Sequence, residues 1–309
     1  MPNQLGLFGP TTEVEPHVTD EDRAIAARVP TRIRFGTSSW SFPGWSGLVY
    51  EGSPSESTLA RSGLAAYARH PLFRTVGLDR SHYAPLRDED LLAYATQLEG
   101  TEDKSFKVVS KVWNEITTSS SKHFLDASVF LSEVLGPYER TFTKWAGPFV
   151  FQLTPMPRGV MDEHQLAHKV DVFLERLSPS FRYAFELRNA ELLGRRWVDT
   201  LRAHGAVHVF NYWTAMPSLR EQLAAGTHHS SFMVVRLMLP PFTRYETKKQ
   251  EFAPFNRLAA PQPEMRDDVL HILQAAEEAD CEDAYVIVNN KAEGSSPLTV
   301  KELAKRVAR

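Results

Sequence analysis

Cysteine is nearly absent: Cys281 is the only one among 309 residues. That excludes an internal disulfide, a cysteine-based zinc site and a redox pair. The opening "MPNQLGLFGPTTEVEP" has no basic stretch leading into an apolar run, so it does not read as a signal peptide. No run of about 18 apolar residues occurs, and no membrane span or membrane partner is expected. Neither sign of charge prevails, with 35 Lys plus Arg against 38 Asp plus Glu. No global field therefore draws the chain to nucleic acid or to a membrane surface. A phosphate-cradling P-loop, a GxGxxG after the first strand and a Ser-His-Asp order are all missing. The reducing cytoplasm is the expected compartment.

What remains is a chain that is 42% hydrophobic and 24% charged, enough for a sizeable core. Residues 1–30 are polar and dotted with proline, and read as a loosely ordered arm with a short helical stretch in "TDEDRAIAARV". From 31 to 309 a rhythm sets in. Eight β-rich runs occur: "IRFGTSS" (33–39), "FRTVGLD" (73–79), "FKVVSKV" (106–112), "FVFQL" (149–153), "RYAFELR" (182–188), "AVHVFN" (206–211), "FMVVRL" (232–237) and "AYVIVNN" (284–290). Between them apolar residues recur at helical spacing, as in Leu166, Val170, Phe173, Leu174 and Leu177, or Met265, Val269, Ile272, Leu273 and Ala276. Asp162 with Gln165 three residues on marks a helix start. Eight alternating units predict a parallel sheet closed into a single (β/α)8 barrel. An open doubly wound sheet is the runner-up.

In such barrels chemistry sits at the C-terminal strand ends. Strand alternation places Asp79, Lys111, Gln152, Glu186, Arg188, Asn211 and Arg236 inward there, together with one of Asn289 and Asn290. Glu186, Lys111 and Asp79 are the candidate catalytic groups. The arginines and amides are candidate ligand contacts, because guanidinium suits a phosphate or carboxylate. Aromatic residues follow the strands: Trp40, Trp45, Trp113 and Trp213, joined by Tyr83, Tyr212 and Tyr245, offer flat faces for a sugar or base. The segment "RYETKK" with Arg244 would extend a cationic mouth, and the last helix N-terminus could hold an anion. A self-satisfied ion-pair layer is the structural alternative. It would make Glu186→Gln cost several kcal/mol, where a functional carboxylate would leave melting nearly unchanged.

The ordered set "FGTSSWSFPGW" (35–45), "SHYAP" (81–85), "FKVVSK" (106–111), "FVFQLTP" (149–155), "FELRN" (185–189) and "VNN" (288–290) resembles the YecE-like barrels, domain-of-unknown-function family 72. The likeness spans about 32–308. It implies a TIM-type barrel of undetermined activity, with its features on Trp40, Trp45, Tyr83, Lys111, Gln152, Glu186, Arg188, Arg236 and Asn289–Asn290. Many members carry a Glu where this chain has Gly77, an Asn where it has Asp79, and a His where it has Asn189.

The favoured reading is a metal-independent, cofactor-free enzyme using acid/base chemistry on a small anionic ligand with a ring: a phosphosugar, nucleotide or nucleic-acid end. Lys111 is either the partner of Glu186 or an imine-forming amine. A non-catalytic module for single-stranded nucleic acid or glycan is one alternative. A metal-dependent hydrolase is the other, although the strand ends carry two carboxylates and no histidine. His164 and His168, four apart on a helix, read as solvated surface, and so do His228 and His229. Oligomeric state is not encoded in any of these features.

Overall fold

The computed structural model describes residues 13–99, 101, 105–228, 231–240 and 243–309. Eight parallel strands close into a barrel in sequence order: β1 (Ile33–Thr37), β2 (Thr75–Leu78), β3 (Lys107–Lys111), β4 (Ala146–Gln152), β5 (Tyr183–Glu186), β6 (Val207–Tyr212), β7 (Phe232–Leu237) and β8 (Asp283–Val288). Each predicted run contains or overlaps its strand, and β1 pairs with β8 to complete the ring, Gly36 lying opposite Ile287.

Helices follow each strand and carry the apolar stripe inward. In Glu163–Leu174, the predicted Leu166, Val170, Phe173 and Leu174 are buried, and Asp162 and Gln165 form a reciprocal capping box. Pro263–Glu278 buries Met265, Val269, Ile272, Leu273 and Ala276. His164 and His168 are exposed on the outer shell, while His229 lies outside the described residues. No described helix is long and apolar enough to cross a membrane.

The lumen is layered. Val109, Val150, Ala184, Val207, Val209, Val234 and Ile287 form a dry apolar belt across its middle, together with Phe232 and Tyr285 lower down. Below the belt, at the strand starts, Asp283 is gripped by Arg34 and by Arg182. Above it, at the strand ends, lies the polar ring. Alternation through Tyr285 and Ile287 carries Asn289 inward, which decides between the two asparagines.

Residues 1–12 of the expected arm lie outside the described residues. The rest is docked, not loose. Helix Asp20–Ala26 packs on the last helix, where Lys301 Nζ meets Glu21 at 2.7 Å and Asp22 at 2.9 Å. Val14, Ile25 and Val29 are buried, and Arg69 donates to the Val14 carbonyl at 3.1 Å. Near this junction His70 is buried on Phe73, its Nε2 without a hydrogen bond among the described residues. Burial lowers its pKa to about 4 against an ordinary 6.5, despite the pull of Asp22. The unfolded chain therefore binds the extra proton first, so stability rises with pH across that window and is lost on acidification. His70→Phe should flatten the pH 4–6.5 part of the urea-unfolding profile, by on the order of 2–3 kcal/mol. An unchanged slope would show that His70 is not the titrating group.

Candidate functional site

Glu186 ends β5 and is 0% exposed. Removing a carboxylate from water this completely requires partners. It has two: Arg188 Nη2 on Oε1 and Arg236 Nη1 on Oε2. Burial works to raise the Glu186 pKa, but the charges of Arg188, Arg236 and Lys111 outweigh it and hold the pKa below the usual carboxylate range. The group is an anion at neutral pH, with both oxygens engaged.

Gln152, opposite Glu186 across the β4–β5 register, ties the two guanidinium groups together. Its Oε1 accepts from Arg188 at 3.0 Å and from Arg236 at 3.2 Å. Arg188 also lies over the Trp213 ring, 3.7 Å from its centroid. These contacts hold both arginines in place at the strand ends, each nearly sealed from solvent.

Asp79, just past β2, is the accessible carboxylate, its side chain 33% exposed. Its Oδ1 lies 3.7 Å from Lys111 Nζ and 3.6 Å from Arg236 Nη2, both beyond hydrogen-bond length. Among the described residues Lys111 Nζ has no hydrogen bond. Burial lowers its pKa most, Asp79 and Glu186 oppose this, and the two arginines add to it. Three cations thus face two carboxylates in an enclosed space, and the surplus is positive.

Other predicted residues divide clearly. Asn211 belongs to the ring but is fully buried and braced, its Nδ2 donating to the Leu187 carbonyl at 2.5 Å. Asn289 faces inward and accepts from Lys291 Nζ at 3.2 Å. Asn290 turns away and caps the last helix, accepting from Ser296 N at 2.8 Å. That contact fills the helix N-terminus expected to hold an anion. Arg244 is exposed at the start of helix Tyr245–Phe252 and, among the described residues, is not joined to the ring.

The aromatic expectation needs correction for two residues. Trp40 is wedged between helices, its Nε1 bonded to the Leu59 carbonyl at 3.0 Å and its ring edge-on to Tyr94. Trp45 is 0% exposed and packs on Phe42. The loop after β1 curls under itself, so neither indole has an open face for a ligand. Trp113 and Trp213 are half-buried, and Tyr83 is 75% exposed. Tyr212 is half-buried and donates to Gln262 at 3.2 Å, while the Tyr245 side chain lies outside the described set.

Two features escaped the sequence reading. One is Lys291, 6% exposed in the turn after β8, which burial brings down to a pKa of about 8 despite the pull of Asp79. Its signal was present but weak: a lysine two residues beyond an inward asparagine. The other is the Asp283 cluster at the barrel base. At Gly77 a Cβ would sit 3.1 Å from Ser38 Cα and 3.3 Å from Ile287 Cγ2, so the lumen is closed tightly there. Asn189 clasps two loops, bonding Met156 N at 2.8 Å and Met156 O at 3.0 Å. Among the described residues no three His, Cys, Asp or Glu side chains are grouped so as to hold a metal ion.

A family model described as protein of unknown function DUF72 matches residues 34–309. A crystal structure of a DUF72 family protein from Enterococcus faecalis V583 superposes with a TM-score of 0.59 at 15% identity, covering 89% of this chain and 95% of that one. A DUF72 family protein from Thermotoga maritima MSB8 gives 0.57 at 17% identity, covering 90% and 99%. These are likenesses of fold. No curated protein matches the chain.

Proposed function

This chain belongs to the DUF72 family, and we propose that its barrel mouth binds the anionic group of a small ring-containing ligand and acts on it by metal-independent proton transfer. The observation that carries this reading is the surplus of positive charge: Lys111, Arg188 and Arg236 around Asp79 and Glu186, with Lys111 Nζ lacking a hydrogen bond among the described residues. An enclosed surplus of one sign is costly to the fold alone and is relieved by a counter-ion from solution. A phosphate or carboxylate would meet Lys111 and the Arg236 Nη2 that Asp79 holds loosely. Trp213, Trp113 and Tyr83 supply ring faces near the mouth for a sugar or base.

The roles shift from those expected. Glu186, with both oxygens engaged, serves as the counter-ion that positions two arginines. Lys111 is the proton-transfer group, because desolvation brings its pKa toward the working range. Asp79 is the second, solvent-reachable one. The positive ring also disfavours a bound cation, which supports acid/base chemistry over the metal-dependent reading.

Inorganic phosphate at constant ionic strength should raise the melting midpoint, by the equivalent of about 2.7 kcal/mol at a hundredfold excess over Kd. Lys111→Met should abolish most of that response, and a chelator should leave it intact. A wild-type midpoint indifferent to tens of millimolar phosphate would defeat the proposal.

A further inference from the structure

We propose that His82 is the proton acceptor of the mouth, a neutral imidazole whose Nε2 takes a proton from the bound ligand while the Lys111 ammonium supplies one. The anionic ligand rests on the site proposed above; the base itself rests on separate observations.

The first is the tautomer. His82 Nδ1 lies 3.1 Å from the Val112 carbonyl oxygen. A carbonyl can only accept, so Nδ1 carries the hydrogen and donates it. In the neutral ring the lone pair is then fixed on Nε2. Among the described residues Nε2 has no hydrogen bond, and the ring is half-buried, not sealed. His17 and His204 contrast with it, each meeting a carboxylate at 2.7 Å.

The second is position. His82 closes the turn Arg80–His82, which starts from Asp79, and its N–H donates to the Asp79 carbonyl at 3.1 Å. The buried Ser81 Oγ lies 2.6 Å from the Lys111 carbonyl and 2.7 Å from that of Leu78, sharing its one hydrogen between them. Consecutive residues of the turn thus bond to consecutive carbonyls at the end of β3: Ser81 to Lys111 and His82 to Val112. That clamp stands the imidazole beside Lys111, on the same turn that carries Asp79. Tyr83, the most exposed aromatic ring of the mouth, meets it edge-on with 5.5 Å between centroids.

The third is charge. Lys111 and Arg236 are the cations whose fields reach the ring, and Asp79 is the anion. Burial does most to lower the His82 pKa and the two cations add to it, while the Val112 carbonyl and Asp79 oppose them. The balance agrees with the geometry, leaving the imidazole neutral at pH 7 and ready to accept. Lys111, lowered chiefly by burial, gives up a proton more readily than a solvated lysine. One rim therefore holds an acceptor and a donor with separate roles.

The step balances without any further reagent. The Nε2 lone pair takes a proton from an ionisable C–H or O–H of the ligand, and the bonding electron pair stays on the ligand. Lys111 returns a proton to another atom of the same ligand, which leaves isomerised. One proton passing from the imidazolium to the lysine through water resets the site.

The test reads the whole protein in two ways. Long-range proton–nitrogen NMR spectra, with His82→Gln to assign the ring, should show Nδ1–H at pH 7. The titration midpoint should lie below 6.5 and rise when inorganic phosphate is added at constant ionic strength. Diethylpyrocarbonate acylates unprotonated ring nitrogens, and peptide mass spectrometry follows it residue by residue. His82 should react about tenfold more slowly at a roughly tenfold excess of phosphate over its Kd, with the exposed His164 and His168 unchanged. A ring with its hydrogen on Nε2, or unchanged His82 acylation while phosphate still stabilises the protein, would overturn the proton acceptor and leave the anion site standing. Phosphate that neither stabilises the protein nor protects His82, with Nδ1–H and rapid acylation retained, would keep the base and overturn the anionic ligand.

Discussion

Replacing Glu186 by glutamine should destabilise the barrel by about 3–5 kcal/mol, because it leaves two buried guanidinium groups facing each other with no shared counter-ion. Arg188 and Arg236 are both nearly sealed from solvent and cannot recover the loss by hydration. Gln152 offers them one neutral oxygen in place of a charge. The sequence allowed two outcomes for this variant. Full burial and double engagement put Glu186 with the structural ion pairs. The loss should shrink in an Arg188→Met background, where one charge fewer is stranded. The pH dependence has a definite sign. The Glu186 pKa is lowered on folding, so its contribution is present above the ordinary 4.5 and fades as pH falls through the lower folded value. Urea unfolding at pH 7 and at pH 3 checks both statements. A loss under about 1 kcal/mol at pH 7 would mean that water or rearrangement compensates the arginines.

The second large effect is expected at Arg236, which touches Glu186 and approaches Asp79. Arg236→Ala should weaken binding of phosphate and of phosphorylated ligands by about 10- to 100-fold, the range of one charge-assisted contact. Arg236→Lys should recover only part of this, since a lysine keeps the charge and loses the planar fork. The variant also relieves charge crowding on Lys111, whose amine should become easier to protonate. Calorimetric titration with phosphate at fixed ionic strength is the measurement. An isotherm identical to wild type, in a variant that retains its circular dichroism, would remove Arg236 from the anion site.

Much of this was legible before any coordinates, for a specific reason. A two-residue strand period, repeated eight times, dictates which side chains share the lumen. That is why Val109 and Lys111, Val150 and Gln152, and Val234 and Arg236 fall where alternation puts them. Periodicity stops at the strand ends. Trp40 and Trp45 lie in a loop whose path is set by contacts such as Tyr50 OH to the Trp40 carbonyl at 2.5 Å, and no repeat encodes that path. Lys291 was missed for the same reason, lying in a turn past β8. For Glu186 the address was readable, but not how many cations converge on it. That depends on an arginine from β7 and another just past β5 meeting at one carboxylate.

The belt of valines, alanine and isoleucine halfway down the lumen makes the mouth a cul-de-sac. Hydrocarbon side chains offer no relay along which a proton could hop, and spaces between them stay dry. A hydrogen removed from a ligand at the rim can therefore leave only by the way the ligand came in. While the ligand sits there, that exit is blocked, so the abstracted hydrogen would be handed back to the same molecule more often than exchanged with the bulk.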